Sequence, residues 1–241
     1  MSTPEWQSRT ELLIGKEKIQ KLHKAHVLIA GLGGVGGYAA EQLCRAGIGK
    51  LSLVDNDTVH PSNRNRQIIA LAENENILKT ELLGKRLQQI NPDIELNVIA
   101  EFLHDENIDT ILSGKPDYIV DAIDTLTPKV NLIYKAFHKN IPVISSMGSG
   151  GRLNPANIKI DDISKSNHCK FAFYVRKYLH RKGIFKGIKV VYSSEPVPKN
   201  AFIETTGDDF KRSMVGTISY MPAIFGCYCA YAVIHDLTSS K

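Results

Sequence analysis

Residues 27–37 read Val27-Leu28-Ile29-Ala30-Gly31-Leu32-Gly33-Gly34-Val35-Gly36-Gly37. A short apolar run bounded by glycine reads as a buried strand. The sequence after it, 35–46, carries helical periodicity up to Gly47. A G-x-G-x-x-G pattern gains meaning from this strand-to-helix context. Glycines let the backbone turn tightly and approach phosphate oxygens, and the following helix presents unpaired N–H groups at the positive end of its dipole. Gly31, Gly33, Gly34 and Gly36 are therefore the expected phosphate-cradling positions; a ligand-free turn is the bland alternative.

Outward from this turn, β-rich runs alternate with helical stretches, as in βαβ units feeding a mostly parallel sheet. Strands are expected at 27–30, 51–54, 94–99, 118–121 and 142–146, and helices at 35–46, 79–90 and 128–140, the last with Pro128 in its first turn. The fold class is α/β, a Rossmann-like doubly wound sheet with a C-terminal elaboration. Beyond Gly151 a strand at 158–160, a helix at 171–181 and a strand at 190–193 are expected. Without a linker or repeat, 1–241 reads as one domain, with a nucleotide-binding core at 26–151 and a substrate-facing elaboration at 152–241. The apolar stretch 214–237 reads as a buried helix, with a membrane span and attachment to a membrane surface as the alternatives.

The chain has 241 residues, 43% hydrophobic and 23% charged, with a net charge of +5. This composition suits a globular protein and mildly favours a polyanionic partner. The first residues lack a basic segment leading into an apolar core, so a cytoplasmic protein is expected. Cys44, Cys169, Cys227 and Cys229 form no C-x-x-C pair, which argues against structural zinc and a disulfide framework. Cys169 reads as the cysteine outside the core.

About 20 residues beyond the glycines the second strand ends in Asp55-Asn56-Asp57, where a carboxylate can accept hydrogen bonds from ribose hydroxyls. Dinucleotide-dependent dehydrogenases share that much. A dehydrogenase has no use, however, for Ser62-Asn63-Arg64-Asn65-Arg66-Gln67 followed by Lys79 at a helix start. Fixed Arg66 and Lys79 can offset charge on a departing pyrophosphate, although either alone could be a solvated cation. Val120-Asp121-Ala122-Ile123-Asp124 brings two carboxylates to the carboxyl edge of the sheet. Magnesium is held there by one or two carboxylates together with substrate phosphates. Asp124 is the expected metal ligand; capping the next helix is the alternative role for both.

This ordered set, with Ile90-Asn91-Pro92, resembles the ThiF-type family related to ubiquitin-activating enzymes, over residues 9 to about 151. The resemblance implies ATP-dependent adenylation of a carboxylate, with ATP and Mg2+ held by Asp55, Asp57, Asn63, Arg66, Lys79 and Asp124. It also implies a homodimer in which Arg9 reaches across to the partner's nucleotide. Members that adenylate sulfur-carrier proteins usually carry two C-x-x-C knuckles, absent here. The stretches 144–151, Asp162-Ile163-Ser164-Lys165, Arg176-x-x-Leu179, 183–193 and Glu195-Pro196 instead resemble the tRNA threonylcarbamoyladenosine dehydratase branch. That branch activates the threonyl carboxylate on a modified adenosine beside the anticodon and closes a ring with loss of water. Two positions depart from it: Cys169-Lys170 replaces its usual Asp-Pro, and Asn76 stands where a glycine usually precedes the lysine. A sulfur-transfer protein is left open as a further partner.

A tRNA partner has independent support in the residues. Between Ile163 and Ser194 there is no Asp or Glu, while Lys165, Arg176, Lys177, Arg181 and Lys182 are joined by further lysines and interleaved with Phe171, Phe173, Tyr174 and Tyr178. Such a run can neutralise phosphates and stack on unpaired bases, or be an ordinary solvated face. The competing functions are adenylation of a ubiquitin-like sulfur carrier, a nucleotide-binding regulator without turnover, and a dinucleotide-dependent oxidoreductase.

Overall fold

The computed structural model describes residues 3–204 and 213–239. Strands β1 (His26–Ala30), β2 (Lys50–Val54), β3 (Glu95–Ile99), β4 (Tyr118–Asp121), β5 (Val143–Ser146), β6 (Ile158–Asp162) and β7 (Lys189–Ser193) form one sheet in the order β3-β2-β1-β4-β5-β7-β6. All neighbours are parallel except β6 and β7. β1, β2, β4 and β5 are buried nearly throughout, as a parallel sheet covered on both faces requires. This is an α/β, Rossmann-like architecture. β6 and β7, from beyond Gly151, extend the same sheet.

Two apolar layers cover it. α3 (Gly36–Ala46), α4 (Lys79–Ile90) and α8 (Tyr220–Thr238), with α2 (Lys16–Lys24), pack on one face; α5 (Asp105–Leu112), α6 (Leu126–His138) and α7 (Lys170–Arg181) pack on the other. α3 and α8 cross so closely that a Cβ on Gly226 would lie 2.4 Å from the Val35 carbonyl oxygen. The expected C-terminal helix therefore belongs to the core. It starts at Tyr220 instead of residue 214, because Val215 already lies in a short strand, β9 (Ser213–Val215), paired with β8 (Phe202–Glu204). Among the described residues no helix is long and apolar enough to cross a membrane.

Boundaries differ from expectation where caps decide them. α6 begins at Leu126, two residues before Pro128, after an extended Thr125; the proline is tolerated because first-turn N–H groups lack intrahelical partners. The sequence reading left out α1 (Ser8–Ile14), α2 and α5.

The order reverses at β1, which has β2 on one side and β4 on the other. Open α/β sheets bind ligands in the crevice at the carboxyl ends beside such a switch point. Gly31, immediately after β1, has φ +85°, and a Cβ there would sit 2.8 Å from the Ala122 carbonyl oxygen beyond β4. A Cβ on Gly36 would lie 1.8 Å from the Gly31 oxygen. Only glycine lets the loop fold this tightly against the start of α3.

Candidate nucleotide site

At the end of β2, Asp55 is fixed across the glycine loop. Its Oδ2 accepts from the Leu32 N–H at 2.6 Å and its Oδ1 from the Asp57 N–H at 2.8 Å. Burial raises the Asp55 pKa, and neighbouring Lys79 and the two amides only partly offset it. Lys79, the first residue of α4, is 5% exposed. Its Nζ donates to Asp57 Oδ2 at 2.7 Å, so Asp57 holds the lysine beside Asp55.

The 62–67 loop closes the other flank. Arg66 Nη1 donates to the Ser62 carbonyl and Asn65 Oδ1, both at 2.8 Å. A Cβ on Gly34 would touch Arg66 Cγ at 3.3 Å. Asn63 is buried and its Oδ1 accepts from the His60 N–H at 3.1 Å, which caps the turn. Gln67, omitted from the sequence-based site, is buried with an Oε1 that has no hydrogen-bond partner; its Nε2 would lie 3.6 Å from a Cβ on Gly33. An orphaned acceptor beside the glycine loop is a property of packing that the sequence does not carry. Asn76 has φ +65°, a backbone region that glycine favours and asparagine tolerates, so this departure preserves the turn before α4.

Asp121 and Asp124 have separate roles. Asp121 is fully buried, with Oδ2 accepting from Lys129 Nζ at 2.7 Å and Ser145 Oγ at 2.6 Å. It ties β4, β5 and α6 together. Asp124 is exposed beyond the end of β4. Among the described residues no cluster of three or more His, Cys, Asp or Glu side chains could hold a metal. One carboxylate at a phosphate loop fits a magnesium ion shared with nucleotide phosphates.

The basic segment divides as well. Lys177 and Arg181 on α7 and Lys182 just after it are exposed, with Arg181 5.1 Å from the Tyr178 ring centre and Lys182 4.5 Å from that of Tyr134. Phe173, Tyr174, Tyr178 and Phe185 are exposed beside them. Arg176 turns inward: its Nη1 donates to the Ile163 carbonyl and to the Ser166 carbonyl and hydroxyl at 2.7–3.2 Å. Lys165 pairs with Asp161 at 2.9 Å. Arg9 is exposed on α1, near exposed Trp6, Leu12 and Leu13. The cysteine expectation is corrected: Cys169 is buried and Cys227 exposed.

Similarity to known proteins runs through nearly the whole chain. The chain is 35% identical to the tRNA threonylcarbamoyladenosine dehydratase of Bacillus subtilis, over 95% of this chain and 93% of that protein. A crystal structure of the E. coli tRNA N6-threonylcarbamoyladenosine dehydratase, TcdA, in complex with ATP superposes with a TM-score of 0.88 at 30% identity, covering 98% of this chain and 96% of the other. The sulfur carrier protein ThiS adenylyltransferase of E. coli is 38% identical, but over only 56% of this chain and 54% of its own length. The ThiF family model matches residues 7–241, taking in the glycine loop, the 62–67 loop, Lys79, Asp124 and α7 alike. The chain belongs to the ThiF family.

Proposed function

We propose that this protein is an ATP-dependent tRNA threonylcarbamoyladenosine dehydratase acting as a single domain, with a nucleotide site built from the glycine loop, Asp55, Asp57, Asn63, Arg66, Lys79 and Asp124. The observation that carries the reading is the extent of likeness to dehydratases, which runs through β6, α7 and β7. The adenylyltransferase match covers only about half of the chain.

A carboxylate is a poor electrophile because its charge repels a nucleophile. Transfer of a phosphorus group from ATP makes it a mixed anhydride with a good leaving group. A nucleophile already on the substrate then closes the ring and expels that group, so one water is lost overall and proximity supplies much of the rate. The loop amides and the α3 N-terminus hold the phosphates, and Asp55 the ribose. Lys79 and Arg66 offset the charge that develops on the departing phosphates. Magnesium, held by Asp124 and the phosphates, would neutralise further charge. Exposed Lys177, Arg181 and Lys182 with the aromatic side chains of α7 receive the RNA. Exposed Trp6, Leu12 and Leu13 around Arg9 support a homodimer in which Arg9 completes the partner's site. α8 packs on α3 and has no membrane role in this reading, and a tRNA substrate fits a cytoplasmic protein. ATP turnover should be stimulated by tRNA carrying threonylcarbamoyladenosine and not by a ubiquitin-like sulfur carrier. Stimulation by the carrier alone would favour the adenylyltransferase.

A further inference from the structure

Arg152 follows the Gly148-Ser149-Gly150-Gly151 turn beyond β5 and is 2% exposed. Its Nη2 donates to the His168 carbonyl at 2.7 Å, while Nε and Nη1 have no hydrogen-bond acceptor. Burial pulls its pKa down, against neighbouring Cys169 and Glu195. Cys169 Sγ already accepts from the Ala172 N–H, and Glu195 is occupied by the Leu153 and Asn154 N–H groups at 3.1 and 2.9 Å, so Nε and Nη1 are left without a hydrogen-bond partner. A buried guanidinium with unanswered donors is costly, and its planar N–H groups suit oxyanions.

The guanidinium stands at the head of α7. Cys169 is the N-cap residue, its Sγ accepting from the Ala172 N–H at 3.4 Å, and the helix runs 12 residues. Its first-turn amides and dipole favour an anion. A Cβ on Gly148 would lie 3.7 Å from Cys169 Sγ, which puts this helix end at the carboxyl edge of β5. β1, β4 and β5 are neighbours, so the cluster is two strand spacings from Gly31, about 10 Å. Gly150 packs on Thr217, whose carbonyl accepts from Asn65 Nδ2 at 3.0 Å, next to Arg66. The turn that carries Arg152 therefore runs from the loops beside Arg66 to the head of α7.

We propose that Arg152 and the N-terminus of α7 form an oxyanion site that takes a carboxylate or phosphate group of the substrate RNA and positions the reacting nucleotide beside ATP. The identity of the ligand rests on the dehydratase reading; the existence of the site does not. The 15N-labelled full-length protein is titrated with sodium phosphate and with sodium acetate, against sodium chloride at equal ionic strength, and the Arg152 Nε–H resonance, assigned by its absence from Arg152→Lys, is followed. A saturable shift with phosphate or acetate, absent with chloride, is expected; no specific shift overturns the site whatever the enzyme's activity. Binding of anticodon stem-loops with and without the threonylcarbamoyl group then separates the sources. Arg152→Gln should weaken binding by about tenfold, for both RNAs if the oxyanion is a phosphate and for the modified RNA alone if it is the carboxylate. An unchanged affinity for both, from a variant with the wild-type melting temperature, overturns the assignment. If the wild type binds neither RNA, the dehydratase reading fails while the anion titration still decides the site.

Discussion

Lys79 is 5% exposed, and Asp57, its ion-pair partner, has a side chain 54% exposed. The aspartate can rehydrate when the lysine is removed, so Lys79→Ala should fold. Its nucleotide turnover should fall by about 100-fold or more, measured as ATP consumption beside an unchanged circular dichroism spectrum. Normal turnover would remove Lys79 from the site. At this scale the sequence was most legible where chemistry and backbone constraint coincide. The glycines, Asp55 and Lys79 meet around one loop as their spacing implied. Arg176 was read as an RNA contact, yet Ala172, Val175 and Leu179 are buried and position 176 falls on the same i, i+3, i+4, i+7 stripe. The signal was present and was overridden by counting charge. Cys227 shows the same lesson: Met221, Phe225, Cys229 and Val233 form the buried stripe of α8, and residue 227 lies off it. Arg152 and Gln67 gave no sequence signal, because an orphaned polar atom is a property of packing.

Among the elements, α5 escaped notice because its first turn is Asp105-Glu106-Asn107, capped by His104, and only Ile108 and Leu112 are buried. Two contacts do not make a periodicity. α8 is anchored to the sheet by Asp236, which accepts from Tyr118 Oη at 2.7 Å and Lys189 Nζ at 2.6 Å. Burial alone would raise the Asp236 pKa, but the Lys189, Tyr118 and His235 donors hold it below its ordinary value of 3.8. A carboxyl whose folded pKa is depressed contributes stability above the unfolded pKa and loses it as pH falls through the folded value. Asp236→Asn should cost about 1–2 kcal/mol at neutral pH, a difference that narrows below pH about 4. Urea denaturation across pH measures it, and a constant difference would rule out the ionised anchor. The 12 residues of α7 run about 18 Å from the nucleotide edge. Reversing Lys177, Arg181 and Lys182 together should lower tRNA affinity and reduce the salt slope by about three. An unaltered slope would move the RNA interface elsewhere.

Across the whole molecule, the sheet order brings the residues of the proposed nucleotide site to the carboxyl edge beside one switch point, and α7 carries positive charge away from that edge. This larger plan was legible because the alternation of strands and helices fixes a doubly wound sheet and its ligand edge. The strand pairing of 189–193 between β5 and β6 was not, since short apolar runs specify burial and not a partner. The proposed reaction is activation, at the nucleotide edge, of a carboxylate on a modified adenosine in tRNA. Mass spectrometry of nucleosides from tRNA bearing threonylcarbamoyladenosine, incubated with the protein and Mg-ATP, tests it most directly. A nucleoside lighter by one water is expected, formed only with ATP and abolished in Lys79→Ala. Unchanged threonylcarbamoyladenosine under conditions where the protein consumes ATP would contradict it.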